Sequence, residues 1–246
     1  MAIEFVNAGD YVLFDPTLID NLTTMSIGFR AKNDTYGGSG GWGSYLFRMD
    51  AFGGANGAFA IFNYGTAPED IRFSYGFDTQ WGWWRVADAF VLGTWFDFMV
   101  TYDNTNVAND PIFYIKGIAQ ATIEDQVPIG SVYDDSTQRL LIGNALFDTS
   151  LYFDGPIGPP RIFNRILTPQ EVYTWSKSRD NNIITNGLVF APDLNGASGL
   201  GMTLFDGAAL GATNLIHDPI GNIYGTPAGS PIGRGNVISN YGEGVQ

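Results

Sequence analysis

Short apolar segments recur along the chain, separated by Gly, Asn and Asp. Tyr11-Val12-Leu13-Phe14 runs into Asp15-Pro16, a turn signal. Thr24-Met25-Ser26-Ile27-Gly28-Phe29-Arg30-Ala31 alternates polar and apolar, which predicts a strand with one solvated face. Tyr45–Arg48, Ala58–Phe62, Ile71–Tyr75, Trp95–Tyr102, Ile112–Ile115, Arg139–Ile142 and Pro160–Phe163 continue the series. Many short strands at fairly regular spacing predict a sandwich or jelly roll rather than βαβ units. One helix is signalled near 168–179. Thr168-Pro169-Gln170-Glu171 offers an N-cap Thr, a Pro at the first helical position and a Glu at the third, the pattern of a capping box. Val172, Tyr173 and Trp175 supply an apolar face, and Lys177 and Arg179 suit the negative end of the helix dipole.

The texture changes after Asn186. Residues 187–246 are rich in Gly, Asn, Pro and Ala and poor in charge. Gly187–Pro192 reads as one strand and Leu215-Ile216 as part of another. The remainder, Gly225-Thr226-Pro227-Ala228-Gly229-Ser230-Pro231 included, reads as loop. A structureless segment of that length is uncommon inside a compact domain. The tail is therefore expected to add an edge strand to the domain of residues 1–186, to pack on a partner chain, or both.

Composition narrows the function classes. The 12 basic and 25 acidic residues among 246 leave a net charge of −13. That balance argues against binding phosphate backbones, which needs clustered Lys and Arg. Cysteine is absent and His217 is the one histidine, which excludes thiol chemistry and leaves little room for His-based metal or triad chemistry. Met1-Ala2-Ile3-Glu4 opens no secretory signal. No segment approaches the ~18 consecutive apolar residues of a membrane span. The expectation is a chain made in a cytoplasm and kept there, or released by another route such as a virus particle. The sequons Asn21-Leu22-Thr23 and Asn33-Asp34-Thr35 are read as chance matches.

Three stretches carry a family likeness. Gly93-Thr94-Trp95-Phe96-Asp97-Phe98-Met99-Val100-Thr101-Tyr102-Asp103 comes first, then Ile112-Phe113-Tyr114-Ile115-Lys116-Gly117. Leu140-Leu141-Ile142-Gly143-Asn144, Phe153-Asp154-Gly155-Pro156-Ile157 and Arg161-Ile162-Phe163-Asn164-Arg165-Ile166-Leu167-Thr168-Pro169-Gln170-Glu171 form the third, whose order and spacing are the most specific. Together they resemble LamG-like, concanavalin A-like jelly rolls over roughly residues 3–180. Phe5–Val12 is similar to that family's opening strand. Phe96-Asp97 stands where a His often follows the Trp, and Lys116 stands where an Asn usually precedes the Gly. Gly187–Ala191 and His217–Asn222 resemble a segment that usually precedes the opening strand, so the tail reads as a permuted edge strand or the start of an uncompleted repeat. The resemblance implies an all-β fold: a two-sheet antiparallel sandwich with one short helix and a loop-rich C-terminal extension.

The chemistry-bearing residues favour binding over catalysis. Glucanases of this superfamily place acids at near-alternate spacing on one strand. None of Glu4, Glu69, Glu124, Glu171 and Glu243 has that spacing. No nucleophile elbow and no P-loop occurs. Trp81-Gly82-Trp83-Trp84-Arg85 is the best recognition candidate, because three Trp in four positions cannot all point inward from one strand. Indole stacks on the C–H faces of sugars and also anchors protein interfaces. The competing reading is packing, with Trp83 facing the core and Trp81 and Trp84 under a loop or a subunit. Tyr36 and Trp42 flank a Gly-rich loop suited to a binding rim. Asp103, Asn104 and Asp110 share one loop, and Asp134 and Asp135 another. These are weak candidates for calcium, which takes about 6–8 oxygens.

Two readings follow. One is a non-enzymatic virion structural or attachment protein, a phage decoration or fibre component. Its partners would be a capsid protein, further copies of itself and surface glycans. The alternative is a stand-alone lectin-like carbohydrate binder, with glycoside hydrolysis third.

Overall fold

The computed structural model describes residues 2–7, 9–14, 18–38, 43–49, 57–64, 67–145, 151–178, 184–192, 208–209, 216–218, 223–228 and 232–234. Along the chain run β1 (Ala2–Phe5), β2 (Tyr11–Phe14), β3 (Thr24–Ala31), β4 (Gly43–Met49), β5 (Gly57–Tyr64), β6 (Ala67–Tyr75) and β7 (Gly82–Val86). Next come β8 (Phe96–Asp103), β9 (Ile112–Ile115), β10 (Ile118–Ala119), β11 (Ile123–Gln126), β12 (Leu140–Ile142), β13 (Gly155–Ile157) and β14 (Arg161–Phe163). The helix α1 (Pro169–Lys177) precedes β15 (Leu188–Phe190), β16 (Ala208–Ala209), β17 (Ile216–Asp218), β18 (Ile223–Ala228) and β19 (Ile232–Arg234). The described strands form two sheets. One runs β10-β9-β8-β3-β13-β1-β19-β16, with β14 also on β3 and β15 on β14. The other runs β11-β7-β6-β5-β4-β12-β2-β18-β17. Neighbours are antiparallel, with the longest register at β3–β8, from Thr24↔Asp103 to Ala31↔Phe96. Among the described residues no helix is long and apolar enough to cross a membrane.

The core between the sheets is aromatic. Phe29 stacks on Tyr45 at 5.1 Å between ring centroids, and Phe73 stacks on Trp84 at 6.2 Å. Tyr102 lies 5.2 Å from Trp84. Rings of this size contribute most of the buried apolar area, with edge and offset contacts adding to it.

The strand β3 departs from expectation. Met25 through Arg30 alternate in the sequence, yet Met25–Phe29 are all buried. The second face is not solvated because α1 covers that side of the sheet. Val172 and Trp175 of α1 pack with Met99, Tyr114, Phe163 and Leu188. Ser26 survives burial because its Oγ donates to the Arg165 carbonyl at 2.7 Å and accepts from the Leu167 amide at 2.9 Å. β8 is buried on both faces from Phe96 to Tyr102 for the same reason.

The helix forms where Thr168 and Glu171 place it. The Glu171 amide donates to Thr168 Oγ1 at 3.2 Å, and the Thr168 amide donates to Glu171 Oε2 at 2.8 Å. Arg165 grips the same carboxylate at 2.6 Å. Tyr173, expected on the apolar face, is exposed instead, with the Lys177 Nζ 5.4 Å from its ring centroid. Its neighbours Val172 and Trp175 already fill the inward stripe. At the other end Arg30 ion-pairs with the buried Asp97 and donates to the Ser176 carbonyl at 2.8 Å, which ties α1 to β3 and β8. Gly117 is required at its turn on two counts. Its φ is +78°, and a Cβ there would meet Ser176 Oγ and the Tyr173 Cα.

The described part of the tail holds more strand than its composition predicts. Ile223–Ala228, read as loop, is a strand on β2, with Thr226↔Leu13 and Ala228↔Tyr11. β19 lies on β1. Gly225 and Pro227 hide this strand from propensity, but pairing satisfies β2 amides and carbonyls that an open edge would leave bare. Phe190, four residues past the expected boundary at 186, is fully buried 5.0 Å from Phe14. Arg179 lies outside the described residues.

The cap makes a pH prediction. Hydrogen bonding to Arg165, then to Thr168, brings the Glu171 pKa down from 4.5 to about 2. A depressed folded pKa stabilises above the unfolded value and loses that contribution as pH falls through the folded one. Urea midpoints should therefore drop between about pH 4.5 and 2 more steeply for the native chain than for Glu171→Gln. Parallel profiles for the two chains would contradict this.

Candidate functional site

The Trp-rich segment is β7 and its approach. Strand alternation sends Trp84 and Val86 between the sheets and Trp83 and Arg85 to the opposite face. Trp84 is fully buried. The expectation that it joins a recognition surface is thus corrected, as is the reading that turned Trp83 toward the core. A buried indole N–H needs an acceptor, and Asp110 supplies it at 2.8 Å. Trp81 packs with Phe62, Leu141 and Leu151 on the outer face of the β11–β17 sheet, where Trp83 meets Phe62 edge-on at 6.3 Å. Arg85 is held by Asp70 at 2.7 Å and Asp125 at 3.1 Å, and Arg72 shares Asp125. The hydrogen bond to Asp125 leads the causes that raise the Arg85 pKa further. Tyr36 donates its hydroxyl to Glu69 at 2.5 Å, and that bond raises its pKa. Trp42 lies outside the described residues.

The calcium candidates do other work. Asp103 accepts from the amide and hydroxyl of Thr105, which lowers its pKa. Asn104 is buried, and its Nδ2 donates to the Leu22 carbonyl and to the Tyr75 hydroxyl, both at 2.7 Å. Asp110 serves Trp84. Among the described residues no group of three His, Cys, Asp or Glu could hold a metal ion.

These same polar bonds shape a concavity that the sequence did not single out. A cavity of about 500 Å³ opens at one end of the sandwich, where three connections meet. Asn21, Leu22 and Thr23 come from the β2–β3 connection, Asn104, Thr105 and Val107 follow β8, and Gly130, Ser131, Val132 and Asp134 precede β12. Phe77, buried, also lines it. The walls are tied together. The Asn21 amide donates to Asp135 at 2.6 Å, and the Asp135 amide donates back to Asn21 Oδ1 at 3.2 Å. The Asn104 amide reaches the Thr23 carbonyl at 3.0 Å, and the Ser131 amide reaches Asp78 at 3.1 Å. Asp134 accepts from Asn21 Nδ2 at 3.0 Å and from the Ser136 amide. Those bonds, Asn21 first, hold its carboxyl below the usual carboxylate range. The volume is that of a small-molecule site, and the cross-loop bonds make it pre-formed. Asn21, Asn104 and Asp134 were visible in the sequence only as a sequon and as cation candidates. Nothing in a single sequence says that loops 82 and 114 residues apart converge, as the Leu22–Asn104 and Asn21–Asp135 bonds show they do.

The sandwich with this topology now has a family. The model of the concanavalin A-like lectin/glucanases superfamily matches residues 7–173, and the chain belongs to that superfamily. No curated protein matches it. Among solved structures it is similar to a candidate carbohydrate-binding protein of Bacteroides ovatus, at 16% identity and a TM-score of 0.65 over 94% of this chain and 58% of that one. A SAP-like pentraxin of Limulus polyphemus, a heptamer, matches at 13% identity and 0.56 over 76% of this chain and 85% of that one. The CBM40 of the Ruminococcus gnavus IT-sialidase, bound to α2,3-sialyllactose, matches at 12% and 0.51 over 71% and 96%. At these identities the likeness is one of fold.

The burial pattern separates the tryptophans. Trp84→Ala should cost about 3–5 kcal/mol in urea unfolding, as for large aromatics lost from a core. Trp83→Ala should cost less than half as much. Equal losses would contradict the assignment of the two faces.

Proposed function

We propose that the chain is a non-catalytic, lectin-like module that binds a carbohydrate in the loop-end cavity. The observation that carries this is the cavity itself, pre-formed, of ligand size and mixed in lining. Thr23, Thr105 and Ser131 bring hydroxyls beside the apolar Phe77, Val107 and Val132. Sugars need that combination, because their hydroxyls and C–H faces alternate around one ring. Asp134 is the one carboxylate among the described residues of the lining. Glycoside hydrolysis uses a pair of carboxyl groups, so this lining supports retention of a glycan rather than its cleavage. The carbohydrate names borne by the Bacteroides ovatus protein and CBM40 agree with the reading, although fold likeness alone does not transfer a ligand.

The assembly role anticipated from the tail, with a capsid protein or a second copy as partner and a virion as its place, has no comparable support. The described strands β18 and β19 pair with β2 and β1 of the same chain.

A glycan array followed by calorimetry tests the proposal. Ser131→Trp would fill the cavity from an exposed position while leaving the Ser131 backbone bonds to Asp78 in place. It should reduce affinity for the bound glycan at least tenfold with Tm little changed. Silence across the array, or undiminished binding by Ser131→Trp, would overturn it.

A further inference from the structure

We propose, resting on the carbohydrate-binding reading, that this cavity selects neutral or amine-bearing sugars and rejects sugars that present a carboxylate to it. The ground is which hydrogen-bonding groups remain open to a ligand. A carboxylate can only accept, so a site for acidic sugars must offer donors, and Lys or Arg best of all. No Lys, Arg or His stands among the described residues that line the cavity. Several of the donors that line the cavity are engaged within the protein. Asn21 Nδ2 is bound to Asp134, and Asn104 Nδ2 to Leu22 and Tyr75. The amides of Asn21, Asn104, Thr105 and Ser131 go to Asp135, Thr23, Asp103 and Asp78. The Thr105 hydroxyl donates to Asp103 at 2.5 Å, so it meets a ligand with its lone pairs.

The charge of the described lining is that of Asp134, an acceptor. Asn21 Nδ2 and the Ser136 amide donate to Asp134 Oδ1, so this carboxylate meets a ligand hydroxyl or ammonium as an acceptor. Among the described residues, the Thr23 and Ser131 hydroxyls are the side-chain donors of the lining that are not bonded to another residue. A ligand carboxylate would face an ionised Asp134 without a compensating cation, in a molecule whose net charge is −13. A ligand ammonium at the same place would be attracted. The fold neighbour bound to α2,3-sialyllactose shows that this architecture accommodates an acidic sugar. The exclusion therefore lies in this chain's own loops and not in its fold.

Three sugars test this by calorimetry or ligand-observed NMR: glucose, and glucuronate and glucosamine, which each differ from glucose by one charged group, at C6 and at C2. A galactose, galacturonate and galactosamine set serves if the array favours galactosides. Glucuronate should bind about tenfold more weakly than glucose, and glucosamine at least as tightly. Asp134→Asn should raise the affinity ratio of acidic to neutral sugar severalfold and remove any advantage of the amine. A purely structural role for Asp134 would instead weaken all three sugars together and leave the ratios fixed, which would overturn the proposal. Acidic sugars binding as well as neutral ones would overturn it while leaving the carbohydrate reading intact. Failure of every glycan on the array, acidic ones included, would remove the carbohydrate reading and this inference with it.

Discussion

The polar atoms at the end of an aromatic core constrain the loops above them. Tyr75 and Trp84 are buried among Phe73, Phe77 and Tyr102, and burial of a hydroxyl or an indole N–H without a partner is costly. Asn104 satisfies the Tyr75 hydroxyl and Asp110 the Trp84 nitrogen. Both come from the connection after β8, which is thereby pinned against the core. Asn104 then donates to the Leu22 carbonyl and so draws in the connection before β3. The Asn21–Asp135 exchange brings the third connection to the same place. The cavity is what these bonds leave between the loops. Tyr102 shows the alternative outcome. Its hydroxyl is buried with no partner among the described residues, and burial raises its pKa.

The acidity of the chain acquires a structural meaning here. Twenty of its 25 acids are Asp, whose short side chain reaches backbone amides two to four residues away. Asp10 accepts from the amides of Val6 and Asn7 at the turn between β1 and β2, which lie in opposite sheets. Around the cavity Asp103 and Asp134 accept amides two residues on, while Asp78 and Asp135 accept the amides of Ser131 and Asn21 from other connections. Negative charge is thus an outcome of turn chemistry in a β-rich chain. It also places one carboxylate, Asp134, among the described residues that line the cavity.

The strands were legible where local pattern decides them. Tyr11–Phe14, Thr24–Ala31 and Ile112–Ile115 have the bounds read for them, because β-branched and aromatic runs bounded by turn residues admit few other structures. The cap at Thr168 was legible for a similar reason, since two reciprocal bonds are encoded within four residues. What failed depends on tertiary context. The second burial of β3 comes from a helix some 140 residues away, as the Ser26–Arg165 bond spans 139 positions. The strand at Ile223–Ala228 is held by β2 and not by its own Gly and Pro. The tryptophans drew attention through composition, yet alternation about Gly82 sends Trp84 into the core. The cavity is built from Thr, Ser, Asn and Asp that read one by one as turn residues. Their significance is their convergence, which is long-range by nature.

Two surfaces therefore compete for the role of binding site: the loop end, and the outer sheet face that carries Trp83 and Arg85. Amide chemical-shift mapping with the neutral glycan that binds best separates them most directly. Binding at the loop end predicts perturbations clustered at residues 21–23, 104–107 and 130–134. Perturbations centred on residues 81–85, with the loop end unmoved, would contradict it.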